Sequence, residues 1–235
     1  MEAALTPASK VTPYGGKVLH RAGALGALAM AAIIVIQLVF FIAAPPPLEG
    51  TAVDWFRFFQ GNEIAGLVGF ELLLVVSVLF SVPLSLALYA VLKRWHAPLM
   101  TLYLALSLIG VLCFVVARPA VEMLSLSRAY GAAGSEADRL ALLSAGDAMV
   151  AIFHGSAFYV SYVLGSLSGL IVSAVMLKSS VFSKTTAWLR IGSSVCDFGL
   201  FIPGVGMYIS IFSVFFLFAW NLIVARRLIQ LSREG

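Results

Sequence analysis

The sequence predicts an all-α fold: a polytopic membrane protein whose six transmembrane helices form a bundle with both termini cytoplasmic. Three observations predict it. Of 235 residues, 61% are hydrophobic and only 11% charged, with a mean hydropathy of +1.03, whereas a soluble domain carries about 25% charged residues. The apolar residues gather in runs near the roughly 20 residues that cross a bilayer. Eleven of the fifteen Lys and Arg fall in segments that alternate to one side, including Lys17, Arg21, Lys93, Arg94, Lys178, Lys184, Arg190, Arg226 and Arg227, which is the bias of cytoplasmic loops.

The remaining loops are too short for a separate soluble domain. The pI near 9.2 therefore reads as topology and contact with anionic membrane lipids, and no nucleic-acid partner is expected. Cys113 and Cys196 both lie in apolar segments and are expected to be small buried hydrophobes, neither disulfide-bonded nor metal-bound.

Residues 1–21, with Pro7, Pro13 and Gly15-Gly16, read as a cytoplasmic tail. The run 22–44 is too long for a signal-peptide core and is expected to be an uncleaved first span, with Gln37 its strongly polar interior residue. Pro45, Pro46 and Pro47 end it. The loop to Glu63 is net negative and belongs outside, with Trp55, Phe56, Phe58 and Phe59 expected at the outer interface. The second span, 64–92, contains Glu71 and also Pro83, which should kink it by removing a backbone donor and clashing one turn back. Lys93, Arg94, Trp95 and His96 mark its inner end. The third span, 97–117, returns outward to Arg118-Pro119. Residues 118–150 form an extracellular helical loop carrying four acids and three arginines, in which Ser135 and Asp138 make a capping pair for a helix leading into the fourth span.

That fourth span, 151–178, is the one the others are expected to pack against. Ser161, Gly165, Gly169 and Ser173 recur every fourth residue and lay a shallow groove for close helix packing. A short basic loop follows. The fifth span, 187–202, and the sixth, 205–225, are joined by the uncharged turn Pro203-Gly204-Val205-Gly206, so they must be antiparallel neighbours. Residues 226–235 place a basic tail inside. Tyr89, Trp95, Trp188 and Trp220 fit an inner aromatic belt, Arg190 a snorkelling anchor and Asn221 an interhelical hydrogen bond. The two halves show no convincing inverted repeat of the kind many transporters carry.

The run VMLKSSVFSKTTAWLRIGSSV, followed by GLFIPGVG and the closing WNLIVARRLIQL, resembles a family of uncharacterised prokaryotic six-helix integral membrane proteins catalogued as a domain of unknown function. The similarity covers roughly residues 60–231 and is strongest at 157–231. It implies the same fold in a prokaryotic inner membrane, and it implies no reaction. Many members of that family carry a polar or acidic residue where Glu71 stands, and an Arg and a Glu one turn apart in the third span. Here the corresponding stretch YLALSLIGV offers Leu106 and Ile109, so an activity needing that charged pair is not implied.

No glycine-rich phosphate loop, HExxH, CxxC or GxSxG is present. Only His154 of the three histidines lies in a span, so a three-histidine zinc site cannot be built. No metal, cofactor or enzymatic activity is expected. Asp147, His154 and Ser161 share a helix face at seven-residue spacing, but seven residues rise about 10 Å where a relay needs contact near 3 Å; they read as an interface stripe. Depth gives a better constellation. Counted at about 1.5 Å per residue from the outer ends, Glu71, Asp197 and Gln37 fall roughly 10 Å deep and His154 about 5 Å, with Arg118 the nearest basic residue. An isolated carboxylate there costs several kcal/mol, so Glu71 and Asp197 must be paired, hydrated or protonated.

The functional reading is an outward-opening pocket of Glu71, Asp197, His154, Gln37 and Arg118 that binds or moves a small polar or amphipathic ligand. The plainer reading is a hydrogen-bond cluster that fixes packing without any ligand, at about 1 kcal/mol per bond. A third is a non-catalytic accessory subunit that docks another membrane protein through the small-residue groove of the fourth span.

Overall fold

The computed structural model describes residues 13–234, and every regular element among them is helical. The first twelve residues of the expected tail, and Gly235 of the closing one, lie outside them. The helices are α1 (Pro13–Ala43), α2 (Ala52–Gly61), α3 (Glu63–Gly69), α4 (Leu72–Leu92), α5 (Ala97–Val116), α6 (Ala120–Ala132), α7 (Glu136–Phe153), α8 (Ser156–Lys178), α9 (Lys184–Phe198), extended by a 3-10 turn at Gly199–Phe201, and α10 (Gly206–Glu234). Five stretches, carried by α1, α4, α5, α8 and α10, are long and apolar enough to cross a membrane.

Several expected boundaries move. Residues 13–21 belong to α1 and not to a tail. The expected second span is two helices: Phe70 and Glu71 separate α3 from α4, with Glu71 left-handed at φ 63°. Pro83, by contrast, stays inside an uninterrupted α4. The fourth span starts at Ser156, because His154 and Gly155 end α7. Asp147, His154 and Ser161 therefore do not share one helix. The fifth span shifts to an earlier start: α9 begins at Lys184 and the 3-10 turn ends at Phe201, with the Ser183 hydroxyl accepting from Thr186 N–H at 3.2 Å.

Each long helix packs on the next in sequence, α1 on α4, α4 on α5, α5 on α8, α8 on α9 and α9 on α10, and α10 returns to α1. The result is a closed ring. Small residues set the seams. Gly23 and Gly26 of α1 lie against Ala87, Phe80 and Pro83 of α4, and Gly110 of α5 lies against Ser161, Leu164 and Gly165 of α8. Gly169 faces Ser194 and Arg190 of α9. Ser161, Gly169 and Ser173 are buried and Gly165 is half-buried, so the predicted docking groove is occupied by the chain's own helices.

At one end the ring is filled by Leu88, Leu92, Met100, Met176, Trp220 and Leu228. Trp220 thus belongs to the core and not to an interfacial belt. Arg227 Nε donates to Val181 O at 2.8 Å, which brings the end of α10 to the α8–α9 connection. The other end carries a cap of α2, α3, α6 and α7. Trp55, Phe56 and Phe59, expected at an outer interface, are fully buried there against Phe70, Met123 and Phe153. The amphipathic α2 covers its aromatic face against the other cap helices. Its N-terminus is held by the Thr51–Asp54 capping box and by Asp147, whose carboxylate accepts from Ala52 N–H at 3.1 Å.

Candidate functional site

Two charge centres lie along the ring, one beneath the cap and one further down. The first is built where two helices break. Phe70 turns into the aromatic cap, and the left-handed backbone of Glu71 points its carboxylate at Arg118, just past the end of α5. Arg118 Nε donates to Glu71 Oε2 at 2.5 Å, with the arginine side chain 1% and the glutamate 17% exposed. The guanidinium also donates to the carbonyls of Ala117 and Phe153, each at 3.1 Å.

Three rings surround the same cation: Phe114 at 4.6 Å, Phe153 at 4.4 Å and Phe158 at 4.5 Å from their centroids. A desolvated cation gains up to about 2 kcal/mol from such a face. The left-handed residue costs about 1–2 kcal/mol, an amount the ion pair and its hydrogen bonds can offset.

The second centre is on α9, where Arg190, Ser193, Ser194 and Asp197 share one stripe at helical spacing. Ser193 and Ser194 are fully buried. Arg190 donates to Gly165 O at 3.3 Å and Ser193 Oγ at 3.2 Å and lies over Trp220 at 5.5 Å. It is turned into the seams of α8 and α10 and is not the snorkelling anchor expected from sequence. Tyr103 of α5 and Asp197 lie within its electrostatic reach, and Tyr103 donates to Ser85 Oγ of α4 at 3.2 Å. The Asp197 carboxylate is half-buried and faces Ser213 of α10. Tyr162 of α8 lies within the fields of Glu71, Arg118 and Asp197, with Ser210 beside its hydroxyl.

Of the five residues predicted to share a site, Glu71 and Arg118 meet directly. Gln37 joins their surroundings, its amide donating to Val68 O at 3.0 Å, three residues before Glu71. His154 is diverted to the cap, where its Nε2 contacts Leu48 O at 2.9 Å. Asp197 belongs to the Arg190 centre and makes no ion pair with the first among the described residues. The predicted outward opening is overlain by the cap: Phe153, whose carbonyl holds Arg118, is part of the cap's core.

Sequence reasoning missed Tyr103, Tyr162 and Ser213, which carry no signal in an apolar run. It also missed the role of Arg190, which the polar stripe on α9 could have revealed. Asn221 is fully buried, but neither of its amide atoms has a partner among the described residues. The chain matches no protein-family model, curated protein or solved structure.

Proposed function

We propose that the chain is a multi-pass prokaryotic inner-membrane protein, with six spans and both termini cytoplasmic, that binds or moves a small polar or amphipathic ligand inside the helix ring and performs no catalysis. Counting α9 as a crossing rests on parity. The start of α1, the α8–α9 connection and the end of α10 share one end of the ring, as the Arg227 contact to Val181 and the packing of Leu228 on Gly23 indicate. With α8 and α10 both ending there, α9 has to travel to the opposite end and back into α10. Lys93, Arg94, Lys178, Lys184, Arg226 and Arg227 then fall on the same side, which supports a cytoplasmic assignment for it.

The observation that carries the ligand reading is the ladder of ionisable groups along the ring: Arg118 with Glu71 at two helix breaks, Tyr162 on α8, and Asp197 with Arg190 on α9. Ionisable groups at such depth are costly and mark ligand or ion paths by default. Arg190 and Asp197, which make no direct ion pair among the described residues, are the members left to take a ligand. Burial of Ser161, Gly169 and Ser173 against the chain's own helices favours the ligand reading over the docking-subunit one, although Gly165 keeps open space beside it.

The test is native mass spectrometry of the protein extracted from its own membranes into a mild non-ionic detergent. Wild type should carry a reproducible non-lipid adduct that Asp197→Asn and Arg190→Gln lose while remaining folded. Identical adduct patterns in wild type and both variants, or no adduct in any preparation, would overturn the proposal.

A further inference from the structure

Away from that ladder, where α1 starts and α10 ends, the two helices part to leave a groove of 290 Å³. This is near the lower end of small-molecule sites, about 300–1,000 Å³. Its walls are two helical stripes. Arg21, Leu25 and Leu28 come from α1, and Ile229, Ser232 and Arg233 from α10. Leu25 is 67% and Leu28 40% exposed, so the apolar part of the groove is continuous with the surface that a bilayer would cover.

Both arginines are exposed, and neither pairs with a carboxylate among the described residues. The neighbouring acid Glu234 bonds Arg227 instead, at 3.3 Å. The groove thus has a doubly cationic mouth above an apolar floor. We propose that it is a binding site for an anionic glycerophospholipid, whose phosphodiester lies between Arg21 and Arg233 and whose acyl chain runs along Leu25 and Leu28. Guanidinium groups match phosphate oxygens bidentately. Charge complementarity at the mouth and exposed leucines below it select a lipid, because a free phosphate would satisfy only the first.

Native mass spectrometry of the full chain with equimolar phosphatidylglycerol and phosphatidylcholine tests this. Wild type should retain phosphatidylglycerol preferentially. Each basic contact near a membrane surface is worth a factor of about five, so Arg21→Gln with Arg233→Gln should reduce the preference by roughly 25-fold. Arg94→Gln with Arg226→Gln removes the same charge from the same end and should leave the preference intact. Leu25→Trp fills the apolar half with both arginines present and should weaken lipid retention. Thermal stability should rise with phosphatidylglycerol and not with inorganic phosphate at equal concentration. Equal retention of the two lipids by wild type, equal loss in both arginine pairs, or a matching shift with inorganic phosphate would each overturn the assignment.

Discussion

Replacing Arg118 by methionine isolates the energetics of the upper charge centre. The substitution removes the only basic group bonded to Glu71 among the described residues, together with the donors to the Ala117 and Phe153 carbonyls. Removing one partner of a buried pair costs about 3–5 kcal/mol. Because Glu71 keeps 17% of its side chain exposed, the lower figure applies, and the two orphaned carbonyls bring the total to about 4 kcal/mol. For a chain of this size that is a fall in Tm of roughly 8–16 °C. Glu71→Met alone should cost about 3 kcal/mol, since it strands the guanidinium among three phenylalanine rings. The double variant Glu71→Met with Arg118→Met buries no charge, and apolar replacement of an ion pair is often close to neutral. It should therefore be more stable than either single variant. Thermal unfolding followed by intrinsic fluorescence in one detergent gives the cycle. A double variant whose loss equals the sum of the single losses would refute the reasoning, because it would mean that neither group depends on the other.

Three further outcomes are expected. Gly169→Val should destabilise by about 1–3 kcal/mol, because its side chain would meet Arg190 and Ser194, whereas Gly165→Ala, with nothing within 4 Å of the added carbon, should stay within about 0.5 kcal/mol of wild type; paired melting curves decide between them. Asp147→Ala should leave the buried Ala52 N–H without its partner and open α2 by about 1–2 kcal/mol, read as faster amide exchange over residues 52–61 with the ring unaffected. The hydrogen bond from Arg128 holds the Glu63 carboxyl below its ordinary value of 4.5. Since the folded-state value is the lower one, the pair's contribution is present above about pH 4.5 and lost as pH falls through the depressed value. Glu63→Gln should flatten that acid limb of the stability profile, and salt should do so in wild type as well.

Much of the architecture is legible in hydropathy and charge, because bilayer thickness and loop basicity are properties of whole segments. Breaks are not. Nothing local in GFELLLV says that the chain turns left-handed at Glu71; the turn exists because Phe70 finds the cap and Glu71 finds Arg118, both contacts remote in sequence. The aromatic residues of α2 follow the same logic: their amphipathic spacing is visible, but whether that face meets lipid or other cap helices depends on α6 and α7. Depth counting picks Arg118, at the outer end of α5, as the basic residue nearest to Glu71, and the two meet because both stand where a helix breaks. It failed for His154, which sits where α7 stops, so that its ring serves the Leu48 carbonyl. Arg190 was read from its place near a basic loop, and that single-residue view hid the stripe it makes with Ser193, Ser194 and Asp197.

The return of α10 to α1 means that every long helix keeps the same two neighbours wherever the chain is cut. Joining the start of α1 to the end of α10 through a flexible peptide and opening the chain between Lys178 and Lys184 would give a circular permutant whose new ends lie at the same end of the ring as that join, with all six seams kept. Such a permutant should insert and fold with native-like melting behaviour, since the ring makes the starting point of the polypeptide a matter of synthesis order and not of architecture.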